Sequence, residues 1–182
     1  MSQGQKRSQR VLVVHGRNTK ARDAMFSFLR SLRLKAFDYG RAIGYVGRTP
    51  AHTIDVVNAG FDHADAVVIL MTPDDEVRLR KRFRTKSDRD LEGPDLRGQA
   101  RPNVLFEAGI AINSHPKQTI LVELGDLRSL SDAAGIQTVR LDNSREKREE
   151  LVKQLRNAGF TINPKLTAWR KAGNFDRALT AR

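Results

Sequence analysis

RVLVVHG, residues 10–16, is a short, continuous apolar run stopped by a glycine. A strand with one face in water alternates apolar and polar residues, and Val11 to Val14 do not alternate, so the run reads as a strand buried on both faces. Such a strand belongs at the centre of a sheet covered by helices on either side. Downstream, NTKARDAMFSFLRSLRL (18–34) offers Asn18 or Thr19 as an N-cap and sets Ala21, Met25, Phe28, Leu29 and Leu32 at helical spacing. KAFDYG (35–40) is a short second strand, and RAIGYVGRTP (41–50) a loop broken by glycine and proline. AHTIDVVNAGFDHA (51–64) is a helix with Ile54, Val57 and Phe61 on one face, followed by the strongest strand in the chain, Ala66 to Met71, which Pro73 ends.

From Asp74 to Arg101 the sequence is polar, highly charged and without clear periodicity, which marks a long loop that is either functional or mobile. Pro102 then suits the first position of a helix over PNVLFEAGIAINSH. QTILVEL (118–124) and IQTVRLD (136–142) are strands, and REKREELVKQLRNAGF (145–160) is a helix. Five strands alternating with helices predict an α/β fold: a flavodoxin-like, three-layer sandwich around a five-stranded parallel sheet of order 2-1-3-4-5. The expected organisation is a disordered basic start at 1–9, one domain over 10–160, and a tail over 161–182 that packs back through Trp169 and Phe175.

Composition narrows the chemistry. The 182 residues include no cysteine, which excludes disulfides, thiolate metal sites and a cysteine nucleophile, and four scattered histidines do not make a zinc site. No apolar run is long enough to span a bilayer and no signal peptide precedes the first strand, so a cytoplasmic protein is expected. The net charge of +12 allows a polyanionic partner, but it is spread over the N-terminus, RLRKRFRTK (78–86) and the last third, the pattern of a solvated surface. Nucleic-acid binding through 78–86 is a weak alternative.

In the expected topology ligands bind beyond the carboxyl ends of the first and third strands. HGRN (His15, Gly16, Arg17, Asn18) ends the first strand, and TPDD, with Thr72 and Asp74, ends the third. The helix after the long loop brings Asn103 and Glu107, four residues apart on one face, to the same crevice. By spacing alone Glu107 reads as an exposed helix residue and Asn103 as an ordinary first-turn polar group, His15 can equally be a strand-end histidine, and Asp74 with Asp75 turn residues lacking a third metal ligand. There is no dinucleotide fingerprint, no P-loop and no nameable Ser/His/Asp triad.

VLVVHGRN, Ala21-Arg22, VGRTPAHTID, VVILMTPDD and above all ARPNVLFEAG keep the order and spacing of a known family. Over about residues 10–160 the chain resembles the bacterial TIR-like domains described as predicted nucleotide-binding proteins, which include TIR effectors of cyclic-nucleotide antiphage signalling. Pro102 and Ala108 stand where that family usually has Gln and Leu. The resemblance implies an NAD glycohydrolase with NAD as substrate, no cofactor and no metal, and Glu107 as the catalytic residue. It implies that His15, Gly16, Arg17 and Asn18, with Thr72 and Asp74 opposite, meet the dinucleotide, that Arg17 or Arg48 takes phosphate, and that Asn103 positions ribose. It also implies self-association into an oligomer or filament and a nucleotide second messenger or sensor protein as partner, for which residues 161–182 are too few to form a sensor domain. Two further readings stay open: a non-catalytic TIR-like interaction module, and a nucleoside deoxyribosyltransferase-like N-glycosidase.

Overall fold

The computed structural model describes residues 8–47, 53–86, 96–128 and 138–180. In chain order, β1 (Arg10–His15), α1 (Thr19–Ser31), β2 (Lys35–Phe37), α2 (Tyr39–Ala42), α3 (Thr53–Asp62) and β3 (Ala66–Met71) form the first half. Then come β4 (Asp75–Val77), β5 (Arg97–Gln99), α4 (Pro102–Ser114), β6 (Thr119–Leu124), β7 (Thr138–Leu141), α5 (Arg145–Asn157) and α6 (Phe175–Thr180).

The main sheet has the order β2-β1-β3-β6-β7, and every pairing in it is parallel. Setting aside the short β4 and β5, this is the expected 2-1-3-4-5 arrangement. Because successive strand residues point to opposite faces, each strand feeds two cores. Val11, Val13, Val68, Leu70 and Val122 pack toward α1 and α5. Leu12, Val14, Val67, Ile69, Met71 and Leu121 pack toward α3 and α4.

On the first face, α1 starts where Asn18 Oδ1 accepts the Ala21 N–H at 2.9 Å, and it buries Ala21, Ala24, Met25, Phe28 and Leu29. The chain after α5 closes over this face, with Trp169 and Phe175 buried and the Phe175 ring edge-on to Phe28 at 6.1 Å. Arg148, only 2% exposed, fastens it. Its guanidinium donates to the carbonyls of Asn143, Trp169, Ala172 and Gly173 and to Asn143 Oδ1, and lies 4.9 Å from the Phe175 ring centroid. Gly173 adopts φ +72°, and a Cβ there would strike the Ala24 carbonyl, so the segment can lie directly on α1 only through glycine.

Three sequence expectations need correction. The second strand ends at Phe37, and Tyr39 to Ala42 with Ile43–Tyr45 form short helical turns inside what reads as strand and loop. On α3, Ile54 is 43% exposed while Val56, Val57 and Phe61 are buried. The buried stripe is shifted because the bare backbone at Gly60 approaches β1: a Cβ there would lie 3.1 Å from Leu12 Cδ2. The charged segment 74–101 contains an antiparallel ladder, Asp75 opposite Gln99 and Val77 opposite Arg97. With Val77 as the lone large apolar side chain in it, no alternation announces this pairing.

Candidate functional site

At the carboxyl end of β1, on the α3 and α4 face, lies a cleft of about 390 Å³. Its floor is apolar, built from Leu12, Val14, Val56, Val57 and Phe61, and its mouth carries His15, Gly16, Arg17, Arg101, Asn103 and Glu107. An apolar pocket with a few converging polar groups is the usual form of a small-molecule site.

α4 delivers the acid. Pro102 occupies its first turn, and Val104, Ala108 and Ala111 are buried against the sheet, which turns Asn103 and Glu107 together toward the cleft. Glu107 is half-buried and makes no hydrogen bond or ion pair with any described residue. Burial raises its pKa from 4.5 to about 7, because a carboxylate that loses water without gaining a donor or a cation is disfavoured in its charged form. Next to it Phe106 is 66% exposed.

His15, at the end of β1, places Nδ1 2.8 Å from the Gly16 carbonyl, so Nδ1–H donates there, and Nε2 lies 3.8 Å from Asp38. Asp38 is also 3.7 Å from the Arg22 guanidinium. Arg17 is exposed at the mouth, and its backbone N–H donates to Asp74 Oδ2. Arg101 stands opposite, 3.5 Å from Asp75 Oδ1.

The cleft therefore gathers His15, Gly16, Arg17, Asn103 and Glu107. Asn18, Thr72 and Asp74 do not line it, and their polar atoms are engaged within the protein. Asn18 caps α1 and donates its amide to the Ala178 carbonyl at 2.9 Å, and the buried Thr72 hydroxyl donates to Asp74 Oδ1 at 2.6 Å. Arg48 lies outside the described residues. Sequence reasoning passed over Arg101, Asp38 and Tyr39, of which Arg101 and Tyr39 line the cleft. Arg101 had a signal: a residue before a proline that opens a helix sits at the helix entrance, where this topology puts ligands. Among the described residues no three His, Asp or Glu side chains cluster closely enough to hold a metal ion, and no helix is long and apolar enough to cross a membrane.

Residues 10–143 match the family model described as CAP12/Pycsar effector protein, TIR domain. The chain belongs to this TIR-domain effector family. It is also 28% identical over 163 residues to the uncharacterized protein YuaY of Escherichia coli (strain K12), an alignment covering 86% of this chain and 48% of YuaY. The chain thus spans about half the length of the curated relative it matches. All of the cleft-lining residues fall inside the matched TIR span, whereas α5, Arg148 and α6 fall beyond it. The matched span carries the candidate site, and the part of the chain beyond it braces the opposite face of the sheet.

Proposed function

We propose that the protein is a TIR-type NAD glycohydrolase that hydrolyses the nicotinamide–ribose bond, and that it serves as a defence effector activated by assembly. The observation that carries the reading is Glu107: a half-buried carboxylate with no partner among the described residues, at the mouth of an apolar-floored cleft in a TIR-domain effector. The floor suits a planar heteroaromatic ring, Asn103 and Glu107 suit ribose hydroxyls, and Arg17 and Arg101 suit the pyrophosphate.

Bond breaking sends the C1′–N pair onto the nicotinamide nitrogen, which leaves as a neutral molecule, and leaves positive charge on C1′ and the ring oxygen. Ionised Glu107 stabilises that charge from its half-buried position, where the interaction is worth more than in bulk water. Water then adds to C1′, and its proton passes to Glu107, whose elevated pKa suits it to accept it, or to solvent. The balance is NAD⁺ plus water to nicotinamide, ADP-ribose and one proton. The positive charge of the bound nicotinamide ring, which sits beside Glu107, draws its pKa down, so the acid ionises when the substrate arrives.

The family match supports a signal-responsive effector. A cyclic-nucleotide signal would gather copies of the chain, and a second copy could cover the exposed Phe106 beside Glu107. The test incubates purified protein with NAD over a hundredfold concentration range, with and without cyclic nucleotides, and follows free nicotinamide. Release that rises more steeply than protein concentration is the expected result. No nicotinamide under any condition overturns the glycohydrolase reading in favour of a non-catalytic module, and constant specific activity in a protein that remains monomeric overturns the assembly part.

A further inference from the structure

The HGRN and TPDD segments, which end neighbouring strands, are tied to each other through one side chain. Asp74 accepts the Thr72 hydroxyl on Oδ1 and the Arg17 backbone N–H on Oδ2, and no cation among the described residues pairs with it. Thr72 is buried at 3% exposure, so the carboxylate is held from the core side while it holds the loop on the other. Gly16 completes the arrangement. A Cβ at that position would overlap Asp74 Oδ2 and come within 3.1 Å of Asp74 Cγ, so the loop and the carboxylate can meet only where residue 16 has no side chain.

We propose that Asp74 is a positioning residue: its carboxylate clamps the Gly16–Arg17 peptide and so aims His15 and Arg17 at the cleft, without itself touching the ligand. A backbone N–H bonded to a carboxylate makes a charge-assisted link, stronger than one to a neutral acceptor. The clamp fixes the loop at the residue whose side chain stands at the cleft mouth. Its kinetic consequence rests on the glycohydrolase reading; its structural consequence does not. An ordered loop that grips the substrate equally before and during bond breaking lowers KM and leaves kcat nearly unchanged.

The experiment compares Asp74→Ala, Asp74→Asn and Gly16→Ala with the wild-type chain, measuring amide hydrogen exchange by NMR in the ligand-free protein and NAD kinetics. Asparagine keeps a carbonyl for the Arg17 N–H, and Thr72 can turn to accept from its amide, so Asp74→Asn should rescue. Expected is Arg17 amide exchange at least about tenfold faster in Asp74→Ala and Gly16→Ala, within about threefold of wild type in Asp74→Asn, and unaltered in the central strands. KM for NAD should rise about tenfold in the first two variants with kcat within about twofold. The double variant should be no worse than either single one, since removing Asp74 frees the space a Gly16→Ala methyl needs. Arg17 exchange that is the same in all proteins, or effects of Gly16→Ala and Asp74→Ala that multiply, would overturn the clamp. A collapse of kcat at unchanged KM would overturn it too, by moving Asp74 into the chemistry. If the wild-type protein releases no nicotinamide at any concentration, with or without cyclic nucleotides, the enzymatic reading fails and amide exchange alone decides the clamp. Should Asp74→Ala fail to fold, Gly16→Ala supplies the same measurement.

Discussion

Arg148 and Glu107 both leave bulk water, and the molecule treats them in opposite ways. The Arg148 guanidinium is matched to four backbone carbonyls and a side-chain amide oxygen, whereas Glu107 meets no donor and no cation among the described residues. Burial disfavours the charge in both cases. It lowers the Arg148 pKa, with Asp176 and Asp142 pulling the other way, and it raises that of Glu107 to about 7. A desolvated charge whose hydrogen-bonding capacity is filled by the backbone acts as a fastener; one left unfilled raises the free energy of the folded state and is a candidate place for a ligand. The contrast also divides the chain, since the fastener lies beyond the family match and the unfilled acid lies within it.

Substitution at each residue can break that contrast. The largest effect belongs to Glu107→Gln, which should lower NAD cleavage roughly a thousandfold at saturating substrate, the scale on which removal of one electrostatic stabiliser acts. Nicotinamide release that keeps a tenth of wild-type turnover would take Glu107 out of the reaction. Arg148→Met comes next. It leaves buried carbonyls without donors and should cost about 3–5 kcal/mol, lowering the midpoint of thermal unfolding by roughly 10 °C in a chain of this size. A loss below about 1 kcal/mol would show that the carbonyls find water instead.

A smaller effect sharpens the comparison by its sign. Because the folded-state pKa of Glu107 is raised above the unfolded value of 4.5, its carboxyl group favours folding below pH 4.5, and that contribution is lost as pH rises through about 7. Glu107→Gln should therefore be more stable than wild type at pH 8, by on the order of 1 kcal/mol after allowance for partial solvent screening, and nearly equal to it at pH 4.5. Thermal melts of both proteins at pH 4.5, 6 and 8 measure this gap, and a gap that does not grow with pH means that Glu107 is not strained by burial. The smallest expected effect is that of EDTA, which should leave NAD cleavage within about twofold, because the leaving group needs no Lewis acid. Activity lost to EDTA and restored by magnesium would contradict this.

The sheet was legible because unbroken apolar runs at Val11–Val14 and Ala66–Met71 have one physical meaning when helical periodicity lies between them. Glu107 was visible as a candidate from the ARPNVLFEAG motif, but its burial was not, since that depends on how separate elements pack around the cleft it lines. Arg148 reads as one more charge in REKREELVKQL, although it occupies the same stripe as Leu151, Val152 and Leu155. What decides its burial is a set of carbonyls more than twenty residues away in the chain. The role of Asp74 was hidden for the same reason: HGRN and TPDD were both placed at the cleft, while the hydrogen bond between them is a fact of three dimensions.

The antiparallel pairing of Val77 with Arg97 brings the two ends of the intervening charged stretch to one point, just ahead of the helix that carries Glu107. Chain inserted between such pinned ends adds little strain, since doubling a loop costs only about 0.6 kcal/mol in closure entropy. An insert placed between those ends should leave the register of Pro102 and the helix behind it unchanged. The ladder is thus a splice point, at which added surface need not alter the fold around it.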